Sequence, residues 1–190
     1  MNNPAHKQAA AEVARKSITL LKNDRILPFN AKANQTTLVV GPKIYGSKKY
    51  IDAITKAVED KASGKVVRSI TSTNSTDAEI ANATDLAKQA NRIIAATFSP
   101  GTLSTGQIKL VKALQASGKP TVVISLGLPY DIKNYPKVGA YIATYAIDRW
   151  GSPLPSSWNA AIDVIFGSKP GGKLPVNIKG LYKFGDGLGY

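Results

Sequence analysis

Hydrophobic positions in this chain follow two rhythms, and the switches between them mark out its elements. Ala10, Val13, Ala14, Ser17, Ile18 and Leu21 recur at helical spacing, and Pro4 suits a first helical turn. The pattern predicts an amphipathic helix ending near Asn23. T-L-V-V-G-P, residues 37–42, is instead a short β-branched apolar run stopped by Gly41 and Pro42, which reads as a buried strand entering a loop. Ile51, Ile54 and Val58 return to helical spacing.

The alternation continues to the end. V-V-R-S-I (66–70) predicts a second strand, and Thr76 with Glu79 forms a capping-box pattern that opens a helix running to about Ala90. R-I-I-A-A-T-F (92–98) predicts a third strand. Ser104 and Gln107 make another capping pattern, after which Gln107, Leu110, Val111 and Leu114 share a helix face until Gly118. T-V-V-I-S-L-G (121–127) and A-Y-I-A-T-Y (140–145) predict two further strands. Trp158, Ala161, Ile162, Ile165 and Phe166 then stripe a last helix closed by Gly167. Continuous apolar strands separated by helices imply an α/β fold with a mostly parallel sheet covered on both faces. No repeat, low-complexity tract or linker divides the chain, so residues 1–190 are expected to form a single domain.

Composition narrows the chemistry. Cysteine is absent, which excludes disulfides, thiolate nucleophiles and Cys-type zinc sites, and the single histidine, His6, rules out a His-rich metal centre. No metal and no cofactor are expected. Lysine and arginine number 25 against 12 acidic residues, a net charge of +13 that attracts polyanions of any kind. The lysines are scattered and rarely interleaved with aromatics, so no specific nucleic-acid surface stands out. No run approaches the roughly 18 apolar residues of a membrane span, and M-N-N-P-A-H-K lacks the apolar core of a secretory leader. A soluble chain without membrane contact is expected, with its compartment left open.

In open parallel sheets ligands sit beyond the carboxyl ends of the strands. The loops expected there are G-P-K-I-Y-G-S-K-K, S-P-G-T-L-S-T-G, L-G-L-P-Y-D and Y-A-I-D-R-W-G-S. The first carries glycines and Lys43, Lys48 and Lys49 but matches neither G-x-G-x-x-G nor the Walker pattern, so a plain strand-to-helix turn explains it better than a phosphate cradle. Ser99, Ser104 and Ser125 lack a nucleophile elbow. Asp131 and Asp148 follow successive strands and resemble the two carboxyl groups of a glycosidase, roughly 5–9 Å apart in such enzymes. Asp131 in P-Y-D-I is better explained as a cap of the following turn.

Several ordered segments carry a family resemblance. A-E-V-A-R-K-S-I-T-L-L-K-N-D-R-I-L-P-F, V-V-G-P, I-S-L-G-L-P-Y-D, A-A-I-D-V-I-F-G, P-G-G-K-L-P-V-N-I and Y-K-F-G-D-G-L-G-Y resemble, in this order, the C-terminal domain of glycoside hydrolase family 3. The bacterial β-N-acetylhexosaminidase branch is the most similar. The resemblance implies a three-layer α/β/α sandwich of about six strands. It also implies a (β/α)8 barrel partner that carries the nucleophilic Asp, about 250 residues and so longer than this chain. In the β-glucosidase branch the acid/base Glu lies on a sandwich loop. Here S-P-G-T-L-S-T-G has no acid, and the only glutamates, Glu12, Glu59 and Glu79, fall on predicted helices. The tail departs from the commoner F-G-H-G-L-S-Y form in carrying Asp186 and Gly189.

The resulting expectation is a non-catalytic companion domain, inactive alone, that walls the cleft of a retaining glycosidase acting on N-acetylglucosamine-containing glycans. Catalytic residues are expected to be none; Lys43, Tyr130, Asp131, Asp148 and Arg149 are the residues expected beside substrate. Two alternatives come from other classes. One is a stand-alone basic flavodoxin-like module that binds an anionic glycan, cell-wall polymer or nucleotide. The other is a self-sufficient hydrolase built on Asp131 and Asp148.

Overall fold

The computed structural model describes residues 4–146 and 155–190. Six strands form one sheet: β1 (Thr19–Asn23), β2 (Thr37–Pro42), β3 (Val66–Thr71), β4 (Arg92–Thr97), β5 (Thr121–Ser125) and β6 (Ala140–Ala143). Their spatial order is β1-β6-β5-β4-β2-β3, and every pairing is parallel except that of β1 with β6. The five helices among the described residues are α1 (Pro4–Ser17), α2 (Lys49–Glu59), α3 (Asp77–Gln89), α4 (Thr105–Ala116) and α5 (Pro155–Ile165). A 3-10 turn, Pro129–Asn134, follows β5.

Burial divides the apolar side chains into two clusters, one on each face of the sheet. Val39, Ile94, Val122, Ile124 and Ile142 pack with Ile51, Ile54, Trp158 and Ile162 under α1, α2 and α5. Leu38, Val40, Ile93, Val123 and Tyr141 pack with Ala83, Ala87, Leu110 and Leu114 under α3 and α4. Alternate residues of each central strand therefore point to opposite cores, which is why these strands read as unbroken apolar runs. The expected three-layer α/β/α sandwich is present.

One element differs from the sequence reading. Residues 19–23 are not the last turn of the first helix but the edge strand β1, antiparallel to β6 with Thr19 opposite Ala143 and a bulge between Leu20 and Lys22. Ile18 and Leu21 satisfy helical spacing, but Leu20 is buried in one cluster and Leu21 in the other. Only an extended chain puts adjacent side chains on opposite faces. The outer side of β1 is covered by the tail, where Gly172 N–H donates to Ile18 O and Leu188 N–H to Leu20 O, each at 2.8 Å. An exposed edge strand is thereby closed.

Candidate functional site at the carboxyl edge of the sheet

The strand order reverses around β2. The chain passes from β2 outward to β3, then returns past β2 to β4, and such a switch point opens a crevice beyond the strand ends. A cavity of about 410 Å³ occupies it, lined by Lys43, Tyr45, Thr73, Asn74, Phe98, Pro100, Thr102, Ser104 and Gln107.

The loop after β2 is a tight turn rather than a phosphate cradle. Ile44 and Ser47 exchange backbone hydrogen bonds of 3.0 and 2.9 Å, and the two residues between them, Tyr45 and Gly46, both have positive φ, 50° and 74°. That is the conformation of the tightest hairpin turns, in which glycine is at ease and tyrosine is not. The turn lifts Tyr45 out of the surface, 61% exposed, with its ring edge-on to Phe98 at 5.8 Å. Just upstream, a Cβ on Gly41 would lie 2.7 Å from Ile51 Cδ1 and 3.0 Å from Ala96 Cβ, so glycine leaves Ile51 room to pack against the end of β2. Lys43, exposed, stands beside the turn with its N–H bonded to Thr71 O.

The other walls are held by side chains that close their own strand ends. Gln107 is buried, accepts from Phe98 N–H and donates to Phe98 O and Thr73 O, all at 2.9 Å. Ser104 Oγ accepts from Gln107 N–H as a helix cap, but the Gln107 amide turns to the Phe98 main chain instead of completing the box. The full capping box forms at Thr76 and Glu79. Glu79 also accepts from Ser72 N–H and Oγ at 2.9 and 2.8 Å; burial raises its pKa, and the bond from Thr76 N–H together with those from Ser72 outweighs burial to leave it below the usual range. Among the described residues no carboxylate lines the cavity.

Asp131 lies one strand further along, 2% exposed. Oδ2 is 3.1 Å from Thr97 Oγ1 and 3.3 Å from Ser125 Oγ, and Oδ1 is 3.2 Å from Ser99 Oγ. Burial pushes its pKa up to about 6 against the pull of these hydroxyls. The hydroxyls are contested: Ser99 Oγ also faces Gly101 O at 3.1 Å, and Ser125 Oγ faces Leu128 O at 2.8 Å. Each hydroxyl has one hydrogen, so Asp131 competes with carbonyls for two of its three donors. Tyr135 and Tyr141 pack nearby, their phenols pushed far above 10 chiefly by burial.

Of the residues expected beside substrate, the structure thus brings Lys43 to the switch-point cavity. Tyr130 is half-buried on the turn after β5 with Lys133 Nζ 5.5 Å above its ring, and Asp131 is enclosed. Asp148 and Arg149 lie outside the described residues. Tyr45 escaped the sequence reading; its only signal was the Tyr-Gly pair between Ile44 and Ser47.

Residues 18–190 match the family model for the glycosyl hydrolase family 3 C-terminal domain. The chain belongs to this family. Among curated relatives, this family 3 domain is 30% identical over 207 residues to β-hexosaminidase A of Pseudoalteromonas piscicida, covering 94% of the chain and 33% of that protein. It is 28% identical over 208 residues to a probable β-D-xylosidase 7 of Arabidopsis thaliana, covering 92% of the chain and 26% of the relative. The chain therefore spans a third or less of these relatives' lengths. The homologues are multidomain family 3 enzymes in which this domain stands C-terminal to a catalytic domain. Among solved structures, the family 3 β-N-acetylglucosaminidase of Paenibacillus sp. strain FPU-7 superposes with a TM-score of 0.75 at 22% identity, over 94% of this chain and 34% of that one. That likeness shows the shared fold.

Proposed function

We propose that this family 3 domain is the accessory wall of a retaining glycosidase of the β-N-acetylhexosaminidase kind, seated on a (β/α)8 barrel that carries the attacking carboxylate. Its cavity at the β2/β4 switch point contributes binding, not bond cleavage. The observation that carries this reading is the lining itself: among the described residues Tyr45 and Lys43 face the space while no acid does, and the buried acid Asp131 is enclosed. An aromatic face packs against the C–H surface of a pyranose ring, and an ammonium donates to hydroxyl or acetamido oxygens. The 30% identity to a protein named β-hexosaminidase A supports N-acetylglucosamine-containing glycans as the substrate class.

Contacts made equally in the ground and transition states lower KM and leave kcat alone. In the barrel-bearing enzyme, Tyr45→Ala is expected to raise KM about tenfold, the loss of roughly 1.4 kcal/mol of binding, with kcat nearly unchanged. The isolated chain is expected to release no chromophore from an aryl N-acetylglucosaminide. Turnover by the isolated chain that Asp131→Asn abolishes would overturn the proposal.

A further inference from the structure

The amino edge of the sheet, opposite the Tyr45 cavity, carries charge that no neighbouring acid neutralises. Two depressions of about 280 and 560 Å³ adjoin there and share Gln115 and Lys137. Lys119 lines the smaller and Lys112 the larger. They form where α4 ends and β5 begins, with Thr121 and Gly139 in the floor of the smaller one.

None of these three lysines has a carboxylate within ion-pair distance among the described residues. The cause is visible in the sequence. From Leu86 to Ala146 the only acidic residue is Asp131, which is buried. Acids on neighbouring elements are already engaged: Asp85 with Lys88, Asp77 with Lys109 and Asp24 with Lys22. Two of the last four carbonyls of α4 are also occupied, since Ser117 N–H and Oγ donate to Leu114 O and Gly118 N–H donates to Gln115 O. Those oxygens, which would repel an anion at a helix C-terminus, are covered.

We infer that this groove binds an anionic glycan strand, its carboxylates or phosphodiesters paired with Lys112, Lys119 and Lys137 and its hydroxyls with the Gln115 and Asn134 amides. Charge complementarity selects an anion. The lining favours a glycan over single-stranded nucleic acid, because its one aromatic among the described residues, Tyr135, is 2% exposed and offers no face on which a base can stack. The groove is at the opposite edge from the switch-point cavity, so both can be filled at once.

Anisotropy titrations of the chain with labelled oligogalacturonate, poly(glycerol phosphate), neutral chito-oligosaccharide and oligo-dT test it. One or both anionic glycans should bind at about 20 mM salt and weaken at least about tenfold near 0.3 M. Binding of oligogalacturonate alone assigns carboxylate recognition, and of poly(glycerol phosphate) alone, phosphate recognition. The triple variant Lys112→Gln/Lys119→Gln/Lys137→Gln should lose about tenfold in affinity, the sum of three modest ion pairs. Lys65→Gln/Lys169→Gln/Lys179→Gln removes the same charge from exposed positions elsewhere and should change affinity less than about twofold. Equal losses in the two triples, oligo-dT binding as tightly as the glycans, or no binding at low salt would each overturn the inference.

Discussion

Asp131→Asn is expected to stabilise the protein at neutral pH and to have almost no effect in acid. The carboxyl is pushed from the ordinary 3.8 up to about 6 by burial, in a cage where two of three hydroxyls have competing carbonyl acceptors. A raised carboxyl pKa means that the folded state holds the proton more tightly than the unfolded state. Stability therefore falls as pH rises through the window from about 4 to about 6, and the penalty is complete above it. At 1.36 kcal/mol per pKa unit the shift corresponds to about 3 kcal/mol.

The neutral acid fits the cage without that penalty. Its O–H can donate to Ser99 Oγ, which passes its own hydrogen to Gly101 O, while the other oxygen accepts from Thr97 Oγ1. Asparagine reproduces this pattern with an N–H donor. Urea unfolding of both proteins between pH 4 and pH 8, followed by circular dichroism, isolates the effect, because every other titrating group cancels in the difference. The variant should gain up to about 3 kcal/mol over the parent across that range. A difference that is constant with pH, or that moves in favour of the parent as pH rises, would refute the reasoning.

Two further outcomes follow from packing. Arg92 is 2% exposed without a carboxylate partner among the described residues, held by Thr37 Oγ1 at 2.8 Å and Asn30 O at 2.9 Å between the rings of Phe29 and Phe166. Arg92→Ala should cost about 3 kcal/mol in urea unfolding and Arg92→Met less than half of that, since methionine keeps the volume without a charge to desolvate; equal losses would contradict this account. A Cβ on Gly172 would lie 2.2 Å from Ser17 O, so Gly172→Ala should detach the tail from β1 at a cost of about 2 kcal/mol. Hydrogen exchange should then quicken at Leu174 and Leu188 but not in β4 or β5.

The sequence by itself determined the layers. Runs such as Leu38–Val40 and Val122–Ile124 are apolar at adjacent positions, which requires a core on both faces, and the Thr76 capping box needs only residues three apart. Tertiary structure decided the rest. Whether residues 19–23 coil or extend depended on a partner, β6, more than a hundred residues away, and on a tail that covers the free edge. Tyr45 became a cavity wall because a turn with two positive φ values aims it, and Asp131 became a buried acid because β4 and β5 bring Thr97, Ser99 and Ser125 around it. The unpaired lysines formed a groove only when the end of α4 met the loop before β6. Periodicity reports which face a side chain takes, but the field and the donors around that side chain come from residues distant in the chain.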